Sequence, residues 1–82
     1  MKLVTLIRNN DNGTYMASLP NDIESFEGLE YTSDRAKALR FSYKDAWRIV
    51  DELCHEIDIM PVLVNDVLVK RDGTVEIEKF HY

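Results

Sequence analysis

The sequence predicts a small α+β domain in which one amphipathic helix packs on one face of a small antiparallel sheet made of two hairpins. Three observations predict it: an apolar N-terminal segment runs into an Asn/Gly-rich turn, a helical apolar repeat occupies the middle of the chain, and a second Gly-containing turn lies near its end. The predicted order is β-β-α-β-β. At 82 residues the chain is long enough for one domain only, residues 1–82, and its 45% hydrophobic content separates it from disordered chains.

The first hairpin joins residues 3–8 to residues 14–19. Residues 3–8 are apolar on both alternation faces, which is typical of a strand that is covered on both sides. Asn and Gly in the turn tolerate positive φ, and Pro20 ends the second strand. A two-residue Asn12-Gly13 loop and a three-residue loop both fit the pattern, so the register stays open.

The next part of the chain is less regular. Residues 20–30 are polar and acidic with apolar residues at a spacing of three, which fits either one helical turn or an irregular loop. Residues 29–32 are predicted as a short strand, and residues 38–41 as a short extended or bridging piece.

The apolar repeat predicts a helix over residues 43–58. Ser42 followed by Asp45 resembles a capping box, in which the serine accepts a backbone N–H of the first turn. The helix should end before Pro61, because the residue that precedes a proline avoids the α region. The apolar stripe consists of Ala46, Ile49, Val50, Leu53 and Ile57, widened by Tyr43, Trp47 and Cys54.

Residues 62–69 and 74–80 are predicted as the strands of a C-terminal hairpin. A two-residue loop would place Val69 opposite a glutamate, whereas a three-residue loop with a left-handed Gly73 places it opposite another valine. We predict the three-residue loop because it pairs apolar residues with apolar residues. The predicted cross-strand pairs are Val69 with Val75 and Val67 with Ile77.

Catalytic and metal-binding patterns are not found in the sequence. It contains no Gly-rich phosphate loop, HExxH, CxxC or nucleophile elbow. Cys54 and His55 are neighbours, but adjacent side chains on a helix diverge by about 100°, so they cannot act as a pair. Asp51 and His55 could offer two metal ligands, fewer than the three or four that a site needs. We therefore expect no enzymatic activity, no cofactor and no metal.

Several residues of chemical interest are interpreted as structural. Cys54 is expected to act as a small hydrophobe at the edge of the core, and Trp47 to pack at the core rather than anchor a partner. Met16 and Met60 are expected to fill the core. Because Cys54 is the single cysteine and no export signal or membrane span is recognised, we expect a cytoplasmic protein.

The charge distribution provides the candidate binding surface. A basic stretch, interrupted only by Asp45, lies between acidic runs at residues 22–34 and 51–58. Its members are Arg35, Lys37, Arg40, Lys44 and Arg48. We predict that it contacts a partner protein. The competing surfaces are a sheet edge that a partner or a second copy could extend, and the acidic loop of residues 20–30. A nucleic-acid-associated role for the same residues is the alternative, although a net charge of −5 repels polyanions. The interleaved cations also argue against an acidic mimic of DNA.

Residues 31–46 resemble a run found in small phage and prophage proteins. In that run a strand is followed by an Ala-x-x-Phe step, a polar cap and an amphipathic helix, matched here by Ala38, Phe41, Ser42 and Ala46. The resemblance implies a phage accessory protein that occupies a surface of a host protein, a group that includes anti-CRISPR inhibitors of host defence. It carries over no catalytic residue.

Overall fold

The computed structural model describes residues 4–22 and 25–75. In chain order, the elements are β1 (Leu6–Asn9), β2 (Tyr15–Ser18), β3 (Glu30–Thr32), a 3₁₀ helix (Arg35–Lys37), α1 (Tyr43–Leu53) and β4 (Ile59–Val62). The strands form one antiparallel sheet in the order β3-β2-β1-β4. The predicted α+β class is confirmed. The predicted order β-β-α-β-β is wrong, because three strands precede the helix and one strand follows it in the described part of the chain.

Strand β1 lies inside the sheet and is buried on both faces. Ile7 is fully buried on the α1 side, in the main core, while Leu6 is fully buried on the opposite side. The main core contains Ile7, Met16, Ala46, Ile49, Val50, Leu53 and Ile59. The second cluster contains Leu6, Tyr15, Ala38 and Val62, with Leu68 packed against it. The prediction that the first strand is covered on both sides is confirmed.

The hairpin between β1 and β2 has a longer loop than either register considered from the sequence. The Asn9 amide donates to the Thr14 carbonyl at 2.7 Å, which leaves residues 10–13 as the loop. The side chains of Asn9 and Asn12 accept hydrogen bonds from backbone amides two residues further on. These local side-chain bonds shape the wider turn, and Gly13 completes it at φ +73°.

Helix α1 starts where predicted and ends earlier. The Ser42 side chain accepts a hydrogen bond from the Asp45 amide at 3.2 Å, which confirms the cap. The prediction of a helix to residue 58 is wrong, because the chain turns after Leu53 so that Ile59 can pair with Asn9. Pro61 does not end the helix. It lies within β4, at the edge of the four-stranded sheet, where a missing N–H is tolerated.

Residues 62–69 do not form one extended strand. The Leu63 amide donates to the Val67 carbonyl at 2.8 Å, and Asp66 adopts φ +67°, so the chain folds back on itself. Val69 then pairs with Val75 and Gly73 adopts φ +87°, which confirms the three-residue loop. The predicted pair of Val67 with Ile77 and the rest of the 74–80 strand lie outside the described residues.

The segment between β2 and α1 is held by isolated bonds. The described parts of residues 20–30 form turns rather than a helix, and the short strand predicted at 29–32 is present as β3. Thr5 and Phe41 exchange two backbone hydrogen bonds of 2.9 Å, which confirms the bridging piece at 38–41. The 3₁₀ helix was not predicted. Its cap is Asp34, whose carboxylate accepts from the Ala36 amide at 2.9 Å.

Candidate functional site

Arg35, the first residue of the predicted basic surface, takes part in a polar cluster that includes Asp66. The Tyr15 hydroxyl donates a hydrogen bond to the Asp66 carboxylate, as does the Arg35 guanidinium. Arg35 also donates from Nε to the Tyr15 hydroxyl at 2.9 Å, and Arg8 lies 3.8 Å from the same carboxylate. We call these four residues the Asp66 clasp. The Asp66 clasp fastens the 63–67 turn to the sheet. Arg35 is therefore engaged in an intramolecular ion pair.

The electrostatics of the Asp66 clasp suit a structural role. Burial, together with the hydrogen bond to Asp66, raises the pKa of Tyr15, although Arg35 opposes this. Burial alone would raise the pKa of Asp66, but the hydrogen bonds from Tyr15 and Arg35 and the nearby arginine charges outweigh it, so the pKa of Asp66 is lowered. Both pKa values are thereby moved further from neutral pH, whereas a general acid or base works best with a pKa close to neutral pH.

The other predicted basic residues divide into two kinds. Arg48 lies 3.7 Å from the Asp45 carboxylate on the exposed face of α1. Lys37, Arg40 and Lys44 are exposed, and their side chains form no ion pair or hydrogen bond with residues 4–22 or 25–75. We call these three residues the cationic segment.

One flank of α1 is covered by the 69–73 turn. The Trp47 indole donates to the Val69 carbonyl at 3.0 Å, and the Arg71 guanidinium lies 4.2 Å from the Trp47 ring centroid. Arg71 also forms a bidentate pair with Asp51, at 2.6 and 2.7 Å. The hydrogen bond to Asp51 is the main cause of a raised pKa at Arg71, and the reciprocal bond lowers the pKa of Asp51. Trp47 is therefore an internal anchor, as predicted.

The opposite flank of α1 borders an open groove of about 400 Å³. Leu19, Pro20 and Asn21 form one wall of this groove, and Arg48, Ile49, Glu52 and Leu53 form the other. Ile49 and Leu53 belong to the buried core, whereas Leu19 is 41% exposed. We call this feature the Leu19 groove. It was not predicted, because its walls are distant in sequence and only the Leu19-Pro20 step at the end of β2 hinted at an exposed apolar residue.

Two other sequence candidates have different surroundings. Cys54 was expected at the edge of the core, but it is exposed: it is the C-cap of α1, where its backbone N–H donates to the Val50 carbonyl, and its thiol lies 3.7 Å from the Asp51 carbonyl oxygen. Of the two candidate metal ligands, Asp51 is paired with Arg71 and His55 is exposed. Among residues 4–22 and 25–75, no three His, Cys, Asp or Glu side chains are grouped so as to hold a metal. Met16 is fully buried in the main core, as predicted.

Comparison of the chain with protein-family models, curated proteins and solved structures gave no match. Within the described ranges, no helix has both the length and the apolar character that are needed to cross a lipid bilayer. The features from which a function can be argued are therefore the Leu19 groove, the cationic segment and the Asp66 clasp.

Proposed function

We propose that this chain is a small protein-binding module that acts by occupying a surface of a partner protein, and that a segment of the partner seats an apolar side chain in the Leu19 groove. The observation that carries the proposal is the difference between the two flanks of α1. The flank with Trp47 is covered by the 69–73 turn, while the flank with the exposed Arg48 and Glu52 borders an open groove across from Leu19.

The composition of the Leu19 groove suits a protein segment. Leu19, Ile49 and Leu53 provide apolar lining, and Arg48 and Glu52 provide exposed charged lining, and protein interfaces commonly combine the two. The volume of about 400 Å³ lies within the range of small binding sites. Leu19, at 41% exposure, gains burial when a partner side chain enters.

The proposal includes narrower points that depend on the sequence. The partner would be a host protein, as the resemblance of residues 31–46 to small phage proteins implies. A cytoplasmic location depends on the single cysteine, Cys54. A binding role without enzymatic activity is consistent with the pKa shifts of Tyr15 and Asp66, which lead away from acid–base chemistry at neutral pH.

The outer edge of β3 is the competing surface. β3 is three residues long, and β2 opposite it is bulged between Met16 and Ser18. Short, irregular edges of this kind discourage further strand pairing. The outer side of β4 is bonded by residues 67–69, since the Val69 amide donates to the Pro61 carbonyl at 3.2 Å. Pairing of two copies through a sheet edge is thus the weaker form of the proposal, and light scattering of the purified protein measures it directly.

The test compares two equally exposed apolar residues. Peptides selected from a random display library on the immobilised protein are measured by fluorescence anisotropy against Leu19→Ser and Val64→Ser, since both parent side chains are 41% exposed. We expect Leu19→Ser to weaken binding about tenfold, because the partner loses part of a leucine-sized contact, and Val64→Ser to leave binding unchanged. Equal affinities for both variants would contradict the proposal, as would amide NMR shifts confined to β3.

A further inference from the structure

We infer that the partner segment carries acidic residues beside the apolar side chain, and that the cationic segment of Lys37, Arg40 and Lys44 recognises them. This inference rests on the proposed function and specifies the chemistry of the partner.

The basic residues of the described chain fall into two groups, those near a carboxylate and those without one. Those near a carboxylate are Arg8 and Arg35 at Asp66, Arg48 at Asp45, Arg71 at Asp51, and Lys70 beside Asp72. Lys37, Arg40 and Lys44 have no such partner within residues 4–22 and 25–75. In a chain with a net charge of −5, three cations that are close in the sequence and have no carboxylate partner among the described residues form a surface that is complementary to an acidic partner.

Hydrogen bonds hold the backbone on both sides of Arg40. Arg40 lies between two residues whose amides are bonded, Leu39 to the Met16 carbonyl at 3.0 Å and Phe41 to the Thr5 carbonyl at 2.9 Å. The chain limits the Cα separation of Lys37 from Arg40 to about 11 Å, and that of Arg40 from Lys44 to about 14 Å. A fixed backbone lowers the entropy that is lost when long side chains bind a partner.

The position of Lys44 on α1 connects the cationic segment to the Leu19 groove. Lys44 is in the first turn of the helix, where the helix dipole disfavours a positive charge. Arg48 follows four residues later on the same helix face and lines the groove. The helical spacing therefore places Lys44 beside the groove residue Arg48, and Arg40 precedes Lys44 by four residues.

The groove favours an acidic protein segment over a nucleic acid. Its apolar lining of Leu19, Ile49 and Leu53 fits an aliphatic side chain, for which a nucleic acid has no equivalent. A long polyanion would extend beyond the cationic segment and be repelled by a chain with a net charge of −5. A short segment that combines carboxylates with one apolar residue meets both conditions.

The experiment uses four probes on the full-length protein. Three capped peptides are titrated to millimolar concentration into ¹⁵N-labelled protein: a leucine flanked by glutamates, a serine flanked by glutamates, and a leucine flanked by lysines. A single-stranded oligothymidine of similar length is the fourth probe. We expect the glutamate–leucine peptide to bind about tenfold more tightly than the other two peptides and to shift the amides of Arg40, Lys44 and Arg48.

Charge-reversal variants complete the experiment. Arg40→Glu/Lys44→Glu should weaken the glutamate–leucine peptide about tenfold and flatten the salt dependence of its binding, while Lys70→Glu, an exposed control in the 69–73 turn, should change neither. Equal binding of the glutamate and lysine peptides at the groove would overturn this inference and leave the proposed function standing. No shift at the groove with any peptide would overturn both. If the oligothymidine bound more tightly than the glutamate–leucine peptide and shifted the same amides, the inferred partner would be a nucleic acid instead of an acidic protein.

Discussion

Substituting Gly73 by alanine tests how the 71–73 turn packs against α1. Gly73 has φ +87°, and a Cβ built there would lie 2.9 Å from Cζ and 3.0 Å from Cε1 of Tyr43. An L-residue in the left-handed region costs about 1–2 kcal/mol. Displacing the Tyr43 ring adds about 1 kcal/mol, at the lower end of overpacking effects because the ring can swing. We expect a total loss of about 2–3 kcal/mol of unfolding free energy.

Gly13→Ala provides the matched control for this experiment. Gly13 also has positive φ, at +73°, but no atom lies within 4 Å of a Cβ built on it. The Gly13→Ala variant should therefore lose only the contribution of the left-handed backbone, about 1–2 kcal/mol of unfolding free energy. Urea denaturation followed by circular dichroism measures both variants, and thermal melts should show a decrease of about 10–20 °C for Gly73→Ala.

The outcomes separate the two contributions. Equal losses in the two glycine variants would mean that the Tyr43 contact contributes nothing, and adding Tyr43→Ala to Gly73→Ala would then recover no stability. An unchanged Gly73→Ala protein would refute the left-handed turn itself. Gly73→Val should lose more than the alanine variant, because a β-branched residue tolerates positive φ least.

Three further predictions follow from single side chains. Thr5→Val should stabilise the protein by about 1 kcal/mol in urea denaturation, because the Thr5 hydroxyl is fully buried without a hydrogen-bond partner among the described residues; a loss of stability would show that it has one. Asp66→Asn should destabilise the protein by about 2 kcal/mol at neutral pH. Because the pKa of Asp66 is lowered by folding, this difference should be fully present above the ordinary carboxyl pKa and shrink as the pH falls through the folded value; a difference that stays constant down to acid pH would refute the clasp. Cys54→Ser should change stability by less than about 0.5 kcal/mol, and the native thiol should react rapidly with a thiol reagent, because Cys54 is exposed; slow labelling would contradict this.

Features that depend on local chemistry could be predicted from the sequence. Ser42 caps α1 because its hydroxyl reaches an amide three residues away, and Val69 pairs with Val75 because the Gly73 turn fixes the register. The end of α1 could not be predicted, since it is set by the pairing of Ile59 with Asn9, which are distant in sequence.

The candidate site shows the same distinction between local and distant contacts. The basic stretch was visible in the sequence, but the pairing of Arg35 with Asp66 was not, since these two residues are 31 positions apart and are brought together only by the fold. The turn at Asp66 carried an Asn-Asp signal that the valine-rich pattern around it obscured. The Leu19 groove arises entirely from tertiary packing, which the sequence pattern does not encode locally.

The segment from Asp66 to Arg71 is fastened at both ends, and this links the two hydrophobic clusters. At its start Asp66 binds Tyr15, a member of the second cluster, and Arg35, and at its end Arg71 binds Asp51 on α1. Neither cluster can open to solvent without releasing a segment that the other holds. Amide hydrogen exchange should therefore proceed through one cooperative opening shared by β1, β4 and α1, rather than through separate openings of each face of the sheet.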